Sequence, residues 1–290
     1  MSDIGPALVS IVFHGLTLAM VLYLISVGLS VTMGLMGFVN LAHGAFAMGG
    51  GYVMTSLMNR AGIAFVPALL LAVAVVTLVS LVLERLLYRR LYGGAELEQV
   101  LLTMGLIFMS MGAATYIWGP LTQAIQPPQW LRGHFTLMDR DLPAYRTFLI
   151  ACGAVVVTVL WLGLERTRFG AQLRAAVDNL RMAETVGINT SRLFATSFAL
   201  GSGLAALGGA LGAEVLAISP AYAMENLVYF LIVVAVGGLG SIRGPFLAAL
   251  MVGIADTGLK YFMPQFGAFF IYALTMATLL WFPRGLLGRA

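Results

Sequence analysis

Apolar residues along this chain fall in long runs, not at the short periods of half-buried strands or surface helices. Most of the runs approach the roughly 20 residues a helix needs to cross a bilayer. They predict spans at about Leu8 to Met33, Leu41 to Met58, Phe65 to Leu83, Val100 to Trp118 and Thr147 to Leu164. Further spans follow at about Leu193 to Leu216, Asn226 to Val236, Phe246 to Tyr261 and Phe266 to Phe282. The expected fold is all-α: a polytopic membrane protein of eight or nine transmembrane helices, one membrane domain over residues 1–290 with no linker. The count turns on two glycine-rich segments, residues 34–51 and 237–244, either of which can be a re-entrant or broken helix. Both precede another helix, so an internal duplication would put them in corresponding places.

One stretch departs from the pattern. Glu165 to Arg192 holds eight of the 28 charged residues. From Gln172 to Val186, Leu173, Ala176, Val177, Leu180 and Ala183 form an apolar stripe at helical spacing. Arg174, Asp178 and Arg181 lie opposite, spaced for i,i+4 and i,i+3 pairing, and Gly187 is suited to end the helix. The stripe predicts a short helix outside the hydrocarbon, with Leu173, Val177 and Leu180 as anchors in a partner's groove and Arg174 and Arg181 at the rim. The competing reading lays the same stripe on the lipid interface or on the chain's own bundle. A second polar stretch, Gly119 to Tyr145, carries Pro120, Pro127, Pro128 and Pro143 and is expected to be a non-helical loop. Its charges, counted to its edge, nearly cancel, Arg132, Arg140 and the adjoining Arg146 against Asp139 and Asp141.

Composition narrows the class. Of 290 residues, 60% are hydrophobic and 10% charged, against the ~25% charged of a soluble domain. Mean hydropathy is +0.96, and the lack of alternating ten-residue strands argues against a β-barrel. Basic residues concentrate around Arg85, Arg89 and Arg90, in the 165–192 stretch, and in the tail RGLLGRA. The positive-inside rule places all three in the cytoplasm. With nine spans, the N-terminus and the 119–145 loop then face outside. The net charge of +4 is a topology signal and not a nucleic-acid patch. The first apolar run is too long for a cleavable signal peptide, and Cys152, the only cysteine, reads as a packed bystander.

Catalytic and nucleotide motifs are missing. GIADTGLK, residues 253–260, fails as a phosphate loop because Leu259 separates Gly258 from Lys260 and Tyr261 stands where the hydroxyl should be. Lys260 is the sole lysine, so any ATP and its magnesium must be held by another polypeptide. His14, His43 and His134 lack metal-ligand spacing, and no nucleophile elbow or carboxylate pair suggests an enzyme. Candidates for a solute path or hinge are polar residues within or beside apolar runs, Asn40, His43, Ser241 and Asp256, together with Gly44, Gly237, Gly238 and Gly240 of the glycine clusters, where a broken helix exposes backbone groups. Asn40 also reads as a helix cap, and His43 as a hydrogen bond to a neighbouring helix. Glu214 and Glu225 are placed near the outer interface. Asp256 fits pairing with a neighbouring helix as well as transport.

Three segments taken together, MGLMGFVNLAHGAFAMGG, RFGAQLRAAVDNLRMAETVGIN and GGLGSIRGP, resemble the membrane subunits of branched-chain amino-acid ABC importers, the LivH-like permease family. The resemblance runs over almost the whole chain. It implies a bacterial inner-membrane complex with a second, homologous permease subunit, two cytoplasmic ATPase subunits and a periplasmic solute-binding protein. It also implies a Glu-Ala-Ala-x-x-x-Gly coupling element at Arg181, Met182, Ala183 and Gly187, which departs from the pattern at Arg181 and Met182. Glu184 leaves an acid one residue past Ala183. The rival expectation is an ion-coupled transporter acting alone through Asp256 or Glu214; a passive channel would need no coupling helix.

Overall fold

The computed structural model describes residues 4–38, 40–137, 140–241 and 243–287. Asp139 of the proline-rich loop and Arg289 of the tail, both used above as charges, lie outside the described residues. The chain runs through α1 (Ile4–Met36), α2 (His43–Asn59), α3 (Phe65–Leu86) and α4 (Glu96–Trp118). A hairpin of β1 (His134–Leu137) and β2 (Arg140–Pro143) follows, then α5 (Ala144–Arg166), α6 (Arg168–Asp178), α7 (Leu180–Thr185) and α8 (Thr190–Gly212). The remainder is α9 (Tyr222–Glu225), α10 (Leu227–Gly237), α11 (Arg243–Phe262) and α12 (Gly267–Trp281). Helices α1, α3, α4, α5 and α8 are long and apolar enough to cross a membrane. The other four places where spans were expected hold α2, α10, α11 and α12, which are shorter or more polar.

Small residues bring the central helices together. An added Cβ on Gly28 of α1 would lie 2.4 Å from the Cα of Gly201 on α8. Where α2 crosses α8, an added Cβ on Gly50 would lie 2.2 Å from the Ala206 carbonyl oxygen. In a bilayer, van der Waals contact at such close backbone approaches does much of the work that hydrophobic burial does in water. The outward faces of α3, α4 and α5 keep Leu70, Leu78, Leu101, Met109, Val155 and Val159 exposed, as a lipid-facing surface requires.

Helix α1 ends at Gly37, whose φ of +58° suits a glycine after a helix. The chain then turns back inward: His43, the first residue of α2, places Nε2 3.0 Å from the Ile25 carbonyl oxygen. At 1.5 Å per residue, Ile25 lies about 16 Å short of the α1 terminus. Irregular backbone at that depth is tolerated only inside protein, and the described residues Phe38, Asn40 and Ala42 are buried. The glycine-rich segment after α1 is therefore a broken-helix entry. At the opposite end the proline-rich loop forms the antiparallel hairpin, with Phe135 opposite Leu142. Gln123 N donates to Ile218 O at 2.8 Å, and Trp118 Nε1 donates to Ser56 Oγ at 2.6 Å.

Candidate functional site: the helical elbow and the glycine turn beneath it

The single helix expected over 172–186 is two helices meeting at Asn179. That residue is extended, at φ −156° and ψ 99°, and its side chain accepts from Met182 N at 3.0 Å. Asn179 thus caps α7, as Thr167 caps α6 and Asn189 caps α8. Gly187, at φ +87°, turns the chain from α7 into α8. The reason for the break is local competition: an Asn side chain that satisfies free amides favours a new helix start over continuation.

The break redistributes the stripe. Leu173, Ala176 and Ala183 are buried with Leu35, Leu193 and Phe194, while Val177 and Leu180 are half-buried at the edge of the same cluster. Leu173 is 4% exposed, so its assignment as an anchor for a partner is corrected: it holds the elbow onto its own bundle. Leu180 begins α7 and does not continue the α6 stripe. The apolar side chains that reach outward are Met182 and Val186, 62% and 71% exposed, with Arg181 and Glu184 exposed beside them. Sequence periodicity missed both; Asn179, three residues before Met182, was the available sign of a fresh helix start. Glu184 accepts from Thr190 Oγ1 at 2.9 Å, tying α7 to α8. Arg174 donates to the Leu164 carbonyl at the end of α5. Tyr92, after α3, packs on Phe194 and donates to Glu84 Oε1 at 2.9 Å. Burial, followed by the nearby Glu84 carboxylate, holds its phenol above the ordinary range.

The second glycine cluster lies directly beneath the elbow. Gly240 N donates to Ser30 O at 3.1 Å, and Ser30 Oγ donates to Ser241 O at 2.9 Å. An added Cβ on Gly34 would lie 2.2 Å from Gly240 Cα, and one on Gly240 3.0 Å from Val177. Gly238 and Gly240 have φ of +94° and +73°. Gly237 packs on Gly244 and Pro245, and Ser241 Oγ accepts from Gly244 N at 3.0 Å. Gly237, Gly238, Gly240 and Ser241 therefore form a packed turn between α1, α11 and the elbow. Between this turn, α5 and α6 opens a cleft of about 340 Å³ lined by Trp161, Glu165, Arg174 and Ser241 among others.

The other candidates sit elsewhere. Asn40 does not cap α2, which begins at His43 without a side-chain cap; its Oδ1 instead accepts from Tyr88 Oη at 3.2 Å. The capping reading fails because the chain is still turning inward at Asn40. Its Nδ2 is buried without a partner among the described residues. His43 bonds a neighbouring helix, as above, and Gly44 packs on Ala223 and Phe230 at the α9–α10 junction. Asp256 accepts from Lys260 Nζ at 2.7 Å and Tyr229 Oη at 3.1 Å. Toward the hairpin end, Arg146 pairs with Glu214 at 3.3 Å and reaches His14 Nδ1 at 2.8 Å. Glu225 accepts from Ser219 Oγ at 3.2 Å. The structure thus sets the elbow directly against the second glycine cluster, whereas Asn40 reaches the elbow's cluster through Tyr88, Phe38 and Tyr92.

Known proteins resemble this chain in sequence and in fold. Residues 11–279 match the family described as the permease component of the branched-chain amino acid transport system. The high-affinity branched-chain amino acid transport system permease protein BraD of Pseudomonas aeruginosa is 30% identical, over 95% of this chain and 94% of its own. The corresponding LivH of Escherichia coli K12 is 27% identical, over 96% and 94%. A probable LivH of Methanocaldococcus jannaschii is 29% identical, over 92% and 88%. Among solved structures, PsaBC from Streptococcus pneumoniae in complex with Fab superposes with a TM-score of 0.51, covering 92% of this chain and 88% of its own. At 10% identity that likeness speaks for the fold alone.

Proposed function

This chain belongs to the family of branched-chain amino acid transport permease components, and from that premise we propose that it moves branched-chain or related amino acids by ATP-driven alternating access. In this reading ATP and magnesium are held by two cytoplasmic ATPase subunits. A homologous second permease completes the pathway, and a periplasmic binding protein delivers solute and largely sets its identity. The chain itself lies in the bacterial inner membrane and is neither an enzyme nor a nucleic-acid binder.

The elbow carries the proposal. It exposes Met182 and Val186 between Arg181 and Glu184 while burying Leu173, Ala176 and Ala183 in its own bundle. A docked ATPase pushing on α7 would load α8 through Gly187 and the Thr190–Glu184 bond. The same push would reach α5 through Arg174 and the Leu164 carbonyl, and α1 and α11 through Val177 and the Gly240 turn. That turn and the broken entry at Asn40 to Gly44 are the assigned hinge positions, since discontinuous helices leave backbone free to reorient. Charge asymmetry supports a cytoplasmic elbow. Arg85, Arg89, Arg90, the arginines of 165–192, Arg243 and Arg284 belong to its end of the bundle, against Arg60, Arg132, Arg140, Arg146 and Lys260 at the hairpin end.

The test is Met182→Asp with Val186→Asp in the reconstituted complex. Both side chains are exposed, so insertion and folding should persist. Solute-stimulated ATPase activity should fall to background. Full stimulation in this variant would overturn the docking assignment.

A further inference from the structure

The cleft beneath the elbow does not close on itself. Trp161, Arg243 and Leu287 line it and also line a second, apolar groove of about 440 Å³. That groove runs between α5 and α11 over α1, with Val157, Phe246 and Leu247 as walls and Tyr23 as floor. One continuous depression is therefore polar at the helix ends and apolar along the helix flanks.

The polar end has the chemistry of an anion site. Arg174 and Arg243 face it against one acid, Glu165. Arg243 is bonded to Glu165 and lies 5.6 Å from the centre of the Trp161 ring. Both members of that pair are exposed, at 60% and 44%, so the guanidinium can still meet a ligand. The amino end of α11 points here too, its first turn capped by Ser241 Oγ, and the partial positive charge of a helix start favours an anion. Trp161, 44% exposed, sits one and a half turns before the end of α5, where amphipathic rings mark the membrane interface. In the floor, the Tyr23 hydroxyl is buried with no partner among the described residues. A soluble anion would use only the polar end and leave the apolar groove empty; a lipid uses both.

We propose that this depression is a specific site for an anionic phospholipid, its phosphate against Arg174, Arg243 and the start of α11, and one acyl chain in the α5–α11 groove. Basic pockets between membrane helices on the cytoplasmic side are known to hold such headgroups. Because the headgroup would lie between α5, α6 and the Gly240 turn, the lipid would brace the elements that carry the elbow. The leaflet follows from the cytoplasmic placement of the elbow; the site itself depends only on the chain's membrane residence.

Native mass spectrometry of the detergent-purified complex, titrated with phosphatidylglycerol or phosphatidylcholine, tests the site. Phosphatidylglycerol should be retained at least tenfold more strongly. Arg174→Gln with Arg243→Gln should reduce that retention about tenfold, and Leu247→Trp, which fills the groove and keeps both charges, should reduce it as well. Equal retention of the two lipids, or unchanged retention in both variants, overturns the proposal. So does binding of soluble glycerol phosphate as tightly as the lipid, which would mark a free-anion site. Should the double arginine variant fail to assemble, Leu247→Trp decides. The readout is lipid mass and not ATP turnover, so its outcome is independent of the docking assignment.

Discussion

Gly28 on α1 and Gly201 on α8 face one another, and replacing either with alanine adds the same methyl group to the same contact. The geometry nevertheless assigns them different consequences. A Cβ on Gly28 would lie 2.4 Å from Gly201 Cα and 2.5 Å from its carbonyl oxygen, whereas a Cβ on Gly201 meets Gly28 atoms only at 3.0–3.2 Å. Carbon pairs prefer about 3.5–4.0 Å, so Gly28→Ala demands that two backbones separate by about 1 Å, and Gly201→Ala by a few tenths. A 1 Å gap forfeits a quarter to a half of each pair's ~0.1–0.2 kcal/mol. Over roughly 40 pairs, about what one buried leucine makes, the loss is about 2 kcal/mol. That figure agrees with the ~1–3 kcal/mol usual for overpacking. Gly201→Ala should cost less than about 1 kcal/mol on the same reasoning. Equilibrium unfolding in mixed micelles, followed by steric trapping or SDS titration, measures both. Equal destabilisation, or a larger effect at Gly201, would refute the geometry of the α1–α8 seam.

Two further substitutions probe the site and its rival. Asn179→Ala removes the cap of α7 and should cost ~0.5–2 kcal/mol locally; proteolysis within 179–187 should quicken and solute-stimulated ATP turnover fall, while an unaltered digestion pattern would deny the cap its role. Asp256→Asn keeps an acceptor for Tyr229 and leaves Lys260, 53% exposed, able to find water. Transport should stay within about twofold of the parent, and its abolition in a fully assembled complex would revive an ion-coupled mechanism through that acid.

Hydropathy alone located α1, α3, α4, α5 and α8, because a bilayer admits few alternatives to a long apolar helix. It also marked 165–192 as the polar exception. Placement was not legible. An amphipathic stripe states that a face is apolar but not what it meets, and only the packing of Leu173 and Ala183 on Leu35 and Phe194 turned the expected partner surface inward. The break at Asn179 is a contest between a side-chain cap and helix propagation, settled by the cluster beneath it. Likewise, Gly34 and Gly240 are about 200 residues apart, and no local pattern could announce that their backbones touch. Sequence determined which segments must leave water; tertiary structure decided which small residues meet, because van der Waals contact in a bilayer depends on complementary shape more than on composition.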